Sequence, residues 1–238
     1  MMFSLTSLAV STLRNRSFSR ETAVDGTQQA PRTAVSRFIL WVGLLSLLGG
    51  CTGFIVEGSP PTRFFIISPL IANTVETGSG TRERELSLAV EPVDIPSYLD
   101  RPQIVIRTSQ SELDISEFNL WAESLRENFS RVLVENLSLL LDSDRVFQLP
   151  GLKRQIADFR IMVRIIQFER AEDGTTRLTV RWKLYNSDAT KLLFRENAVL
   201  TGQKAGKDDY PAIAESMSHL LAKFSRRIAS VIRQQTTP

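Results

Sequence analysis

The residues best placed to do chemistry are Leu48-Gly49-Gly50-Cys51. An apolar run from Phe38 to Leu48 follows Arg32 and Arg37, and two small residues then precede the only cysteine of the chain. This is the pattern of a lipoprotein signal peptide. Leu48, Gly49 and Gly50 would seat the chain in a signal peptidase, and the Cys51 thiol would become a thioether carrying lipid. An uncleaved membrane anchor is the rival reading, because Phe38–Val56 holds 19 residues without a charge, long enough for one helical span. Gly43, Gly49, Gly50 and Gly53 weaken such a helix. Thr52 follows the cysteine, and the absence of Asp there leans toward the outer membrane.

Other reactive constellations are missing. His219 is the sole histidine and has no second His or Cys to join in metal binding. The sequence contains no Gly-x-Ser-x-Gly elbow and no phosphate-binding glycine loop. The pair Asp208-Asp209 suits a helix cap better than a metal site. We therefore expect no catalytic residues, no metal and no cofactor.

Charge narrows the partners. The chain carries 29 Lys+Arg against 26 Asp+Glu, but five Arg and only two acids fall in residues 1–50, leaving 24 of each from Cys51 onward. A neutral domain has no long-range field to gather nucleic acid, so that class is set aside. The single cysteine excludes an internal disulfide, and 188 residues after the leader suffice for a core without one.

The organisation reads as a leader over residues 1–50, a Gly/Pro-containing tether over 51–62 and one domain over 63–236. The tether spans at most about 35–40 Å when extended. Strand-like runs fall at 63–68, 86–93, 103–108, 112–116 and 145–149, with a polar loop at 73–83. Residues 159–169, 177–186 and 191–200 form an antiparallel meander, in which Leu178, Val180, Trp182 and Leu184 share one face. Apolar residues at spacings of three and four predict amphipathic helices over 122–141, with Asn119 as N-cap, and over 210–234. The expected fold is α+β, an antiparallel sheet with two amphipathic helices packed on one face. The order of strands then helix occurs twice.

Several surface features admit a binding role. The loop 95–103 sets Tyr98, Leu99 and Arg101 between two prolines; these three are candidate partner contacts, with packing onto the core the equal alternative. Trp121 reads as core, and Asp188–Lys191 as a solvated hairpin tip.

Pro96-Ser-Tyr-Leu-Asp-Arg-Pro-Gln-Ile-Val105, Leu113, Trp121-Ala-Glu-Ser-Leu125, Arg131-Val-Leu and Glu135-Asn-Leu-Ser138 together resemble the PqiC/YmbA family of ABC-type transport auxiliary lipoproteins. Phe64-Phe65 and Ser68-Pro69 resemble the family's entry strand. The resemblance implies a lipoprotein facing the periplasm, usually held at the outer membrane by palmitate and related acyl chains on Cys51. It implies partners too: an MCE-domain protein and the membrane components of an ABC transporter. The implied role is lipid movement that maintains envelope integrity, without enzymatic activity, and with assembly into a homo-oligomeric ring among the expectations. Two other readings stand beside it: a lone lipoprotein that binds cell wall or a small lipid, and an envelope hydrolase.

Overall fold

The computed structural model describes residues 58–71, 86–150 and 157–236. Contacts divide the chain between Gly58 and Ser59, and apart from Gly58 everything described belongs to the second unit. The leader, Cys51 and the loop expected at 73–83 lie outside the described residues.

The elements run β1 (Arg63–Phe65), β2 (Leu88–Val90), β3 (Gln103–Arg107), β4 (Leu113–Trp121), α1 (Leu125–Leu141), β5 (Val146–Gln148), β6 (Phe159–Arg170), β7 (Thr175–Asn186), β8 (Leu192–Lys204) and α2 (Tyr210–Thr236). The eight strands form one sheet organised around β6. One edge of β6 pairs along its length with β7, which pairs with β8. Its other edge takes β2 at Phe159–Ile161 and β3 near Arg170.

The α+β expectation holds, but the antiparallel sheet does not. β1 runs parallel to β4, β2 runs parallel to β5 and β6, and β3 runs parallel to β6. The β3–β4 hairpin and the β6–β7–β8 meander are antiparallel. The reason for the difference is physical. Alternating polarity reports which face of a strand is buried, not the direction of its neighbour. Neighbours in sequence pair antiparallel through short turns, while β2 reaches β5 only after a hairpin and a helix have intervened.

The meander has one buried face, as its alternation required. Leu178, Val180, Trp182 and Leu184 are at most 1 % exposed, whereas Arg181 and Lys183 between them face solvent. Gly174, at φ 85°, makes the turn into β7, a conformation that a Cβ would oppose. α2 sets Ile213, Met217, Leu220, Leu221, Phe224 and Ile228 in the core, and α1 adds Leu125, Phe129, Val132, Leu133 and Leu137. Aromatic rings tie the layers together. Phe129 meets Phe168 edge-on with centroids 5.5 Å apart, and Trp182 meets Phe224 edge-on at 6.2 Å.

The helix starts differ from one another in chemistry. Asp209 caps α2, its carboxylate accepting from the Ala212 amide at 3.2 Å. Asn119, expected to cap α1, lies inside β4, because that strand continues through Phe118–Trp121. The cap position of α1 is Ser124, whose hydroxyl binds Asp100 instead of the helix backbone.

Candidate functional site

The segment that follows the tether is Arg63–Ile71. Only Arg63–Phe65 of it finds a strand partner. Beyond Phe65 the backbone polar groups need other partners, since unpaired buried amides are costly. Two asparagines of α1 supply them. Asn128, 1 % exposed, accepts from the Ile67 amide at 2.7 Å and donates to the Ile67 carbonyl at 3.2 Å, as a paired strand would. Asn136 accepts from the Leu70 amide at 2.7 Å and donates to Ser225 of α2 at 3.2 Å. Ser218 of α2 accepts from the Ser68 amide at 3.1 Å. Eight residues separate the two asparagines, so they lie near one another's side of α1, about two turns apart. The first folded residues after the tether are thereby stitched to both helices.

The same segment carries an apolar surface. Phe64, Ile66 and Ile71 are 64 %, 46 % and 68 % exposed. Ile66, Leu70 and Ile71 face Pro211, Ala214 and His219 of α2 across a groove of about 470 Å³. His219 stands exposed on that wall. Among the described residues no cluster of His, Cys, Asp and Glu is placed to hold a metal ion.

The loop between β2 and β3 is fastened inward. Asp94 forms a bridge to Arg164 of β6, and a turn follows in which the Leu99 amide donates to the Pro96 carbonyl at 2.9 Å. Leu99 is 2 % exposed and belongs to the core, the packing alternative, and there it anchors the loop. The Tyr98 hydroxyl donates to Glu169 at 2.9 Å, and Arg107 donates to the other oxygen of that carboxylate at 2.7 Å. The guanidinium also lies 5.8 Å from the Tyr98 ring centre. Glu169 is 1 % exposed, and this pairing is what makes its burial tolerable. Burial, then the Glu169 charge, pushes the Tyr98 phenol up to about 12. Burial alone would lower the pKa of Arg107, but the hydrogen bond and charge of Glu169 raise it. Asp100 is held by Arg126 at 2.6 Å, and Arg101 is partly buried with its Nε unpartnered.

The remaining candidates take structural places. Trp121 is 5 % exposed and in the core. Asp188 caps its own turn through the Thr190 amide and hydroxyl. Cys51, Leu48, Gly49 and Gly50 lie outside the described residues. Sequence reading passed over Asn128 and Asn136; the available signal was their place among apolar neighbours on a helix, Phe129 and Leu137.

The mixed sheet with two covering helices defines a class of α+β domain that also occurs in solved structures. A Xanthomonas campestris protein superposes with a TM-score of 0.60 at 14 % identity, over 73 % of this chain and 97 % of its own. A second crystal structure gives 0.51 at 23 % identity, over 75 % and 100 %. The chain belongs to the family described as the ABC-type transport auxiliary lipoprotein component, whose model matches residues 69–229. It is 28 % identical over 189 residues to the Intermembrane transport lipoprotein PqiC of Escherichia coli (strain K12), covering 79 % of this chain and 92 % of that protein. The protein of that name from Shigella flexneri matches equally.

Proposed function

We propose that the chain is an auxiliary lipoprotein of an intermembrane transport system, held in the cell envelope by acyl chains on Cys51 and acting by binding rather than catalysis. The observation that carries this reading is the family match over residues 69–229. The Leu48-Gly49-Gly50-Cys51 sequence supports lipid attachment, and the stitched segment gives the attachment a firm purchase on the domain. A pull on the tether meets the β1–β4 pairing at Arg63–Phe65 and then the Asn128 and Asn136 hydrogen bonds.

The domain then works from the periplasmic face of the outer membrane with an MCE-domain protein and the ABC transporter components, in lipid transport that maintains the envelope. Confinement at a surface raises effective concentration, so modest contacts suffice for docking. Two or more acyl chains make the attachment durable at about 0.8 kcal/mol per buried methylene. A ring of copies requires two different faces joined head to tail. In this reading Tyr98, Leu99 and Arg101 shape the loop that a partner meets, with Leu99 as its internal anchor.

The test is a Cys51→Ser chain expressed in place of the parent. The reading expects loss of membrane retention and loss of co-purification with the MCE-domain protein, with the folded domain unchanged by circular dichroism. Parent-like fractionation and co-purification would overturn it.

A further inference from the structure

The solvent face of the β6–β7–β8 meander has an unusual charge arrangement. Cross-strand register places Arg164 of β6 opposite Arg181 of β7, and Lys183 of β7 opposite Arg195 of β8. Strands lie about 4.8 Å apart and alternate residues about 6.7 Å, so these four cations share a patch about 10 Å across. Like charges directly opposite one another oppose pairing of the strands. Acids relieve only part of the face. Asp94 pairs with Arg164 at 2.6 Å, Glu91 with Arg160 at 3.5 Å and Asp173 with Arg177 at 2.9 Å. Arg181, Lys183 and Arg195 are exposed and make no ion pair among the described residues. Neutrality of the domain as a whole therefore hides a basic face.

Apolar side chains stand among the cations. Met162, in the same cross-strand row as Lys183, is 47 % exposed; Val199, two residues beyond Asn197 on β8, is 65 % exposed. A depression of about 350 Å³ is lined by Met162, Arg164, Arg181 and Lys183 together with Glu91 and Asp94, the acids paired with Arg160 and Arg164. We infer that this face seats on a bilayer surface of anionic phospholipid headgroups. Phosphates answer the unpaired cations, and the apolar side chains enter the boundary beneath them. An acidic protein could answer the same charges, and the photoadduct separates it from lipid. The charges and exposure that carry the inference do not involve Cys51, but the assay rests on the proposed function, in which acylated Cys51 holds the chain on either vesicle; loss of flotation would mark failure of that anchor and not of the face.

The full chain is reconstituted in vesicles of phosphatidylcholine alone or with phosphatidylglycerol, with photo-activatable benzoylphenylalanine in place of Asn197, which faces solvent opposite Arg181. Flotation reports anchoring, and the mass of the photoadduct reports what covers the face. A phospholipid adduct is expected at position 197 in anionic vesicles, weak in neutral ones and weakened by salt. The same probe in place of exposed Glu215 on α2 serves as the comparison, with no such dependence expected. Arg181→Gln with Lys183→Gln should lower the engaged-to-free ratio about 25-fold, at about fivefold per charge, while flotation stays unchanged. Equal adduct in neutral and anionic vesicles would overturn the inference. So would an adduct that forms only to an added protein.

Discussion

Asn128→Leu tests how the N-terminal segment is held. Leucine keeps the number and branching of the side-chain heavy atoms but removes both partners of the Ile67 backbone, whose amide and carbonyl lie 2.7 and 3.2 Å from the Asn128 side chain. Ile67 is fully buried, so water cannot replace them in place. Each orphaned buried group costs about 1–3 kcal/mol, or about 2–6 together if the segment stays docked. The segment has an escape: it can peel away, which exposes the Ile67 side chain at about 1.5–3 kcal/mol. The smaller cost sets the result, so the loss should be about 1.5–3 kcal/mol. Urea unfolding measures the loss, and limited proteolysis after Arg63 distinguishes the route, since peeling makes that bond cleavable in an otherwise folded domain. A stability within about 0.5 kcal/mol of the parent, with no gain in cleavage, would refute the claim that Asn128 stands in for a strand.

Gly202→Ala should destabilise by about 1–3 kcal/mol in thermal or urea unfolding, because a Cβ there would lie 2.2 Å from Thr176 Oγ1 and 2.6 Å from Ser216 Oγ. Adding Ser216→Ala should recover part of that loss. Arg107→Leu should cost about 3–5 kcal/mol by leaving the Glu169 carboxylate buried without its cation. Spectrophotometric titration should find one of the three tyrosines, absent in Tyr98→Phe, ionising at about 12. The folded state keeps that proton where the unfolded chain, with a phenol near 10, has lost it; the stability it contributes is therefore present below pH 10 and disappears as pH rises toward 12. At the other end of the scale, Arg227 holds the Glu196 carboxyl below its ordinary value, so the contribution of that pair should be lost as acid protonates Glu196.

Much of the fold was legible where one chemical pattern had one geometric meaning. The alternation through Leu178, Val180, Trp182 and Leu184 specified a strand with a buried side, and α2 showed its core positions from Ile213 to Ile228. Strand direction had no such marker, so the parallel pairings of β1, β2 and β3 could not be read from alternation. Phe118–Trp121 abuts a helix, yet the strand continues through it, since β1 pairs with Asn119–Trp121. Tyr98 and Glu169 are 71 residues apart, and nothing local announces that they meet. Arg177, Arg181 and Lys183 were visible as the polar side of a strand. Their convergence with Arg164 and Arg195 exists only once the register of three strands is known.

The most direct test of the account is the intact mass of the protein extracted from membranes. It should begin at Cys51, lack residues 1–50 and carry the added mass of acyl chains on that first residue. A chain that retains its leader, or one that begins at Cys51 without lipid, would contradict the anchored auxiliary lipoprotein described above.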